Sequence, residues 1–218
     1  MKISPLQLIT QEIKSFHYID QVKVACENGA DWIQLRVKNT SYDDFIKIAK
    51  ESVELCKVYG TKLIVNDNVQ AAMESKADGV HLGNDDMPIH SARKLLGEDK
   101  IIGSTGNSLQ DLMELDNMEA DYVMLGPFRF TPTKMNLKHL LGTKTYVKYI
   151  QTAREKGLKI PIIAVGGIKL KDVKDLFEIG VNGIAVSSAV FSASSPGQAI
   201  QGFLKNVNNY SHTPKMVW

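Results

Sequence analysis

Cysteine is scarce in this sequence: Cys26 and Cys56 are the only two, with no CxxC spacing and no histidine pair to complete a zinc site. A disulfide-built scaffold is excluded, and the two read as free buried thiols in a reducing compartment. Apolar runs long enough to span a membrane are missing. The amino terminus, MKISPLQLIT, carries Pro5 and polar residues where a secretory signal would be continuously apolar. The cytoplasm is therefore the expected location. A dominant charge sign is missing as well. Lys plus Arg total 26 against 24 for Asp plus Glu, a net +2 that gives no reason to expect nucleic acid or a membrane surface as partner. No Ser-His-Asp order or Cys-His pairing marks a nucleophilic hydrolase.

What is present is core material. Hydrophobic residues make up 44% and charged residues 23% of 218, which suits one large domain over 1–207 followed by a polar tail at 208–218. Short β-rich runs at 6–10, 32–35, 62–65, 79–82, 101–104, 122–125, 162–165 and 183–186 alternate with helical periodicity. The helical stretches are 19–28, 42–59, 69–75, 89–96, 109–118, 146–156, 171–179 and 198–207. A weak repeat, NGADWIQL, SKADGVHL, MEADYVML and IGVNGIAV, marks the same helix-to-strand joint four times. Eight βα units with apolar strands predict an α/β fold, a single (β/α)8 TIM barrel with its active site at the carboxyl ends of the strands. An open doubly wound sheet fits less well, because QEIKSF rather than GxGxxG follows the first strand.

Those carboxyl ends are polar. The turns after strands seven and eight, AVGGIKLKD and IAVSSAV, suit a phosphate: Gly166 and Gly167 let backbone approach an anion, and Ser187 and Ser188 add hydroxyls and amides. Asp67 and Asp86 end adjacent strands and read as Mg²⁺ ligands, although Asp67 reads equally as the N-cap of the helix at 69–75, and Asp85 is an alternative ligand. Arg36 and Lys38 leave the second strand on one face with Gln34, a fork and a point charge suited to a diphosphate. Lys134, with the hydroxyls of Thr131 and Thr133 just before it, lies on a long loop from 126 to about 145 that reads as a lid. His81, inside the fourth strand, reads as structural.

Taken together, QLRVK at 34–38, IVNDN at 64–68, DGVHLGNDD at 78–86, IIGST at 101–105, LGPFRFTPTK at 125–134, IIAVGGI at 162–168 and IAVSSAV at 184–190 resemble the thiamine-phosphate synthase family, also called thiamine-phosphate pyrophosphorylase. The resemblance covers nearly the whole chain. It implies a (β/α)8 barrel that condenses hydroxymethylpyrimidine diphosphate with hydroxyethylthiazole phosphate, or its carboxylate, to thiamine phosphate and diphosphate, with Mg²⁺ as cofactor. By the same resemblance, Gln34, Arg36, Lys38, Asn66, Thr105 and Lys134 hold the pyrimidine diphosphate and Asp67 and Asp86 hold the metal. Thr131, Thr133, Gly167, Ser187 and Ser188 hold the thiazole phosphate. Arg36, Lys38, Lys134 and Thr105 are the expected catalytic residues, acting on a departing diphosphate in a dissociative substitution.

Two departures stand out. GSTGN replaces a G-V-S-T-H type turn, so that Thr105, or Ser104 with a one-residue shift, takes the hydroxyl position and Asn107 the histidine position. The segment MNLKHLLGTKTY keeps only Gly142 of a Gly-Leu-Glu. Thiazole tautomerase-like proteins share the fold but tend to lack the Asp pair and to use that histidine, and a non-catalytic thiamine-phosphate-binding paralogue is the other alternative. The retained charges favour the synthase. The partners implied are two small-molecule substrates and, through apolar helix faces, a homo-oligomer.

Overall fold

In the computed structural model, which describes residues 3–130 and 140–211, eight short strands close into a ring. They are β1 (Leu6–Ile9), β2 (Trp32–Leu35), β3 (Lys62–Asn66), β4 (Gly79–Leu82), β5 (Ile101–Gly106), β6 (Tyr122–Leu125), β7 (Ile162–Val165) and β8 (Gly183–Val186). Each is parallel to its sequence neighbour, and β1 pairs with β8 through Leu6–Ile184 and Leu8–Val186. The helices between them are α1 (Tyr18–Glu27), α2 (Tyr42–Tyr59), α3 (Val69–Ser75), α4 (Ile89–Leu96), α5 (Leu109–Asn117), α6 (Gly142–Glu155) and α7 (Val173–Ile179). Two more, α8 (Ser188–Phe191) and α9 (Pro196–Tyr210), follow β8. The expected (β/α)8 barrel is observed.

The two faces of each strand make two cores. Ile33 and Leu35 of β2, with Leu63, Val65, Val80 and Leu82 on the next strands, pack outward against the helices. Trp32, Ile64, Ile101, Tyr122, Met124 and Ile163 fill the barrel itself. A period of two on a closed parallel sheet produces this division. The Trp32 and Tyr122 rings meet edge to face at 4.9 Å. Gly103 makes room for them, since a Cβ there would lie 2.0 Å from Tyr122 Cζ.

Capping sets where several helices begin. The Ser41 side chain accepts from the Asp44 amide, and Ser108 and Asp111 form a reciprocal capping box. Asn68 caps α3 by accepting from the Ala71 amide at 2.8 Å, which corrects the reading of Asp67 as that cap. Helix α6 starts four residues before the expected 146. The expected helix at 171–179 opens with a 3-10 turn at Leu170–Asp172, and α8 is an additional short helix. Helix α9 continues through Tyr210, beyond the expected start of the tail at 208. Cys26 and Cys56 are free, buried and 3.9 Å apart between α1 and α2. Among the described residues no helix is long and apolar enough to cross a membrane.

Candidate active site

The carboxyl ends of the strands surround a bowl of about 490 Å³, within the range of small-molecule sites. Gln34, Arg36, Lys38, Asn66, Asp67, Asp86, Thr105, Gly167, Ser187 and Ser188 all line it. Thr131, Thr133 and Lys134 lie outside the described residues, as does the middle of the expected lid.

On the β2 side, Thr10 clamps the backbone of Arg36. Its Oγ1 accepts from the Arg36 amide at 2.9 Å and donates to the Arg36 carbonyl at 3.2 Å, fixing the strand end from which Arg36 and Lys38 project. Lys38 Nζ lies 2.9 Å from Asp67 Oδ2, so the cation expected to meet a diphosphate is paired with a carboxylate here. Both side chains are about two-fifths exposed, which leaves the pair open to exchange. Asp67 adopts φ +65°, and its amide donates to the His81 carbonyl at 2.8 Å. With Asn68 taking the cap, the Asp67 side chain is left to the bowl.

Asp86 faces Asp67 from the next strand end. Its Oδ2 accepts from the Gly83 amide at 2.6 Å. Burial pushes its carboxyl above the ordinary range; the Gly83 amide opposes this and the neighbouring Asp67 carboxylate reinforces it. A carboxyl crowded by a neighbouring carboxylate in this way is part of a donor set that a divalent cation relieves. One or two carboxylates, with substrate phosphates and water, are the complement Mg²⁺ ordinarily takes. No group of three or more His, Cys, Asp or Glu is arranged to hold a metal among the described residues. Asp85 also lines the bowl.

Strand alternation sends the Ser104 and Thr105 side chains to opposite faces. Thr105 faces the bowl with its Oγ1 3.0 Å from His81 Nε2, whereas Ser104 turns away and donates to the Leu82 carbonyl at 3.0 Å. Asn107, at the position of the absent histidine, donates to the Gly126 carbonyl at 2.5 Å and so braces the start of the β6 loop.

Across the bowl, Gly166 and Gly167 take φ +97° and +64°, conformations an L side chain rarely adopts. Helix α8 begins beside them at Ser188, and its first amides have no intrahelical acceptor. The Ser187 hydroxyl is buried without a hydrogen-bond partner, a deficit that an anion's oxygens would meet. Sequence reasoning missed what holds this turn. Arg129 donates to the Gly167 carbonyl at 2.9 Å and grips Asp172 through both nitrogens at 2.5 and 3.1 Å. The Asp172 carboxylate also accepts from the Lys169 amide at 2.8 Å. Burial alone would push Asp172 up, but the Arg129 bonds, the Lys169 amide and the nearby cations hold its carboxyl below the ordinary range. The pattern Lys-Leu-Lys-Asp, with an acid three residues after the turn, was the available signal.

The profile of the family described as thiamine monophosphate synthase matches residues 6–190. A thiamine-phosphate synthase from Bacteroides fragilis is 42% identical over 191 residues, covering 88% of this chain and 94% of that protein. One from Flavobacterium psychrophilum is 42% identical over 195 residues, covering 89% and 95%. The solved thiamine phosphate pyrophosphorylase of Pyrococcus furiosus superimposes with a TM-score of 0.82 at 32% identity, covering 94% of this chain and 96% of that one. A 3-hexulose-6-phosphate synthase, at TM-score 0.70 and 13% identity, shares the fold.

Proposed function

The chain belongs to the thiamine monophosphate synthase family, and from that premise we propose how its bowl divides the work of the reaction. The enzyme is a transferase that joins a hydroxymethylpyrimidine diphosphate to a hydroxyethylthiazole phosphate and releases diphosphate. The bond between the pyrimidine methylene and the diphosphate oxygen breaks with its electron pair leaving on oxygen. The thiazole nitrogen then donates its lone pair to the methylene carbon.

Arg36 and Lys38 bind the diphosphate, Arg36 as a fork and Lys38 by leaving Asp67 for the stronger anion. Asp67 and Asp86 would hold Mg²⁺. When bound, that ion supplies positive charge to the diphosphate oxygens. Charge on those oxygens grows as the bond breaks, so cations and donors already in place stabilise the transition state more than the ground state. Gln34 spends its amide hydrogens on Gln7, 3.1 Å away, and on Met124, which leaves its carbonyl to accept from the aminopyrimidine. The thiazole phosphate rests on Gly167, Ser187 and Ser188, and its anchoring sets the distance from which the ring nitrogen attacks. Lys134, Thr131 and Thr133 enter this assignment on family resemblance. A cytoplasmic setting accords with the two free thiols.

The observation that carries the reading is a single cavity with cations and a carboxylate pair on one side and a glycine-serine anion cradle on the other. Its test is to mix the purified protein with both substrates, with and without Mg²⁺, and to follow thiamine phosphate as fluorescent thiochrome after oxidation. Mg²⁺-dependent product is expected. Folded protein that makes none with either the thiazole phosphate or its carboxylate overturns it.

A further inference from the structure

Hydrogen bonds run in series through the barrel interior and end at Thr105. Gln34 Nε2 donates to Gln7 Oε1 at 3.1 Å, and Gln7 Nε2 lies 3.5 Å from Tyr122 Oη. Tyr122 Oη is 3.1 Å from His81 Nδ1, and His81 Nε2 is 3.0 Å from Thr105 Oγ1. Gln7 and Tyr122 are fully buried and His81 is 4% exposed. Burial pushes the phenol of Tyr122 up, so it keeps its proton.

The chemistry of these groups gives the series a direction. An amide nitrogen only donates and an amide oxygen only accepts. Since Gln7 Oε1 accepts from Gln34, it is Gln7 Nε2 that points at Tyr122, whose oxygen accepts. The single phenolic proton then goes to His81 Nδ1, which makes Nε2 the protonated ring nitrogen. His81 Nε2 donates to Thr105 Oγ1, and the threonine proton is turned toward the bowl.

We propose that Gln7, Tyr122 and His81 are positioning residues that fix the Thr105 hydroxyl as a hydrogen-bond donor to an acceptor oxygen of the pyrimidine diphosphate. The proposal rests on the reading of the bowl as a synthase site, and it assigns work to three barrel-interior residues that a purely structural role would not require. A donor held in one orientation meets the growing negative charge of the leaving group without first rotating. If His81 carried its proton on Nδ1, Thr105 would donate to the imidazole instead, and the diphosphate would face a lone pair.

Tyr122→Phe removes the phenolic oxygen and keeps the ring that packs on Trp32. Thr105→Val removes the hydroxyl at nearly constant shape. A hydroxyl bonded to a charged oxygen sets the expected loss for Thr105→Val at about 10- to 100-fold in kcat. Tyr122→Phe should lower kcat about 3- to 30-fold, because His81 then divides between two tautomers. The KM for the thiazole phosphate should not move in either variant. The double variant should be no slower than Thr105→Val, since both changes act through one proton. Additive losses, or a Tyr122→Phe enzyme with wild-type kcat, overturn the proposal. A second readout needs no turnover: long-range proton–nitrogen correlation on wild-type protein labelled with ¹⁵N-histidine, with His81 assigned from the spectrum of His81→Gln. The Nε2-protonated tautomer at neutral pH is expected, and an Nδ1-protonated or cationic ring overturns the proposal. If the wild-type protein makes no thiamine phosphate, the synthase reading fails, while the tautomer still decides the direction of the series.

Discussion

Gly167 adopts φ +64°, and a Cβ built there would meet Arg129 Cγ at 2.7 Å, the Phe130 carbonyl oxygen at 2.8 Å and the Arg129 carbonyl oxygen at 3.2 Å. Gly167→Ala therefore combines two costs. The left-handed backbone costs an L residue roughly 1–2 kcal/mol. Forcing a methyl against two backbone oxygens, which cannot swing aside as a side-chain end can, adds about 1–3 kcal/mol. The sum is about 2–5 kcal/mol, and at about 2–4 °C per kcal/mol for a chain of this size Tm should fall by about 4–20 °C. Gly157→Ala provides the control: its φ is +81°, with nothing within 4 Å of the added carbon, so only the backbone cost applies and Tm should fall by about 2–8 °C. The two variants should also differ in kinetics. Any movement that relieves Gly167→Ala shifts the turn proposed to hold the thiazole phosphate, and losing one hydrogen bond to that charged group should raise its KM about tenfold or more. The KM for the pyrimidine diphosphate should not follow. Thermal melts and thiochrome-based kinetics on both variants make the comparison. A Gly167→Ala protein that melts with Gly157→Ala and keeps its thiazole KM would refute the reasoning about this turn.

Asp67→Asn should cut turnover about 10- to 100-fold at ordinary Mg²⁺, the loss expected for one charged ligand interaction, and a Mg²⁺ titration of kcat that matches wild type would remove Asp67 from the metal site. Asn68→Ala, one residue on, should cost about 1 kcal/mol of stability through the lost cap, read by urea unfolding, with kcat within about twofold of wild type. The Arg129–Asp172 pair should contribute about 1 kcal/mol at neutral pH, discounted because the Arg129 side chain is 37% exposed. Asp172 is held below the ordinary carboxylate range, so that contribution is complete above a pH of about 4 and is lost as pH falls through the folded value. Urea melts of wild type and Arg129→Met should therefore converge once pH has fallen below that folded value, and a gap that persists through acid would separate the effect from this carboxylate.

How legible the molecule was in its sequence can be followed through particular residues. The strands at 32–35, 79–82, 122–125, 162–165 and 183–186 were read to the residue, because continuous β-rich apolar runs end abruptly at polar or glycine positions. The start of α6 was misread because Gly142 and Thr143 have poor helical propensity, while Tyr146 behind them is buried, and donates to the Leu125 carbonyl. Asp67 was offered as a cap of α3 and Asn68 holds it instead, since both residue types cap well and only backbone direction distinguishes them. His81, read as a structural residue within its strand, is buried. Its bond to Thr105 escaped notice because a contact between neighbouring strands depends on register, which composition does not encode. Arg129 and Asp172 lie 43 residues apart, so the local Lys-Leu-Lys-Asp pattern announces the acid but not the arginine that meets it.

The barrel is closed by the pairing of its first and last strands, Leu6–Ile9 with Gly183–Val186. A ribosome makes these in order, so for most of synthesis β1 has no partner on one side, and the ring cannot shut until β8 has left the exit tunnel. The anion cradle is made in that same late interval, since Gly167 and Ser187 flank the seventh and eighth strands. Closure of the fold and completion of the bowl are thus a single event in the life of the nascent chain. A chain stalled before residue 183 would carry Arg36, Lys38 and both aspartates on an open sheet whose first and seventh strands are left as unpaired edges, the kind of edge that invites pairing with other chains.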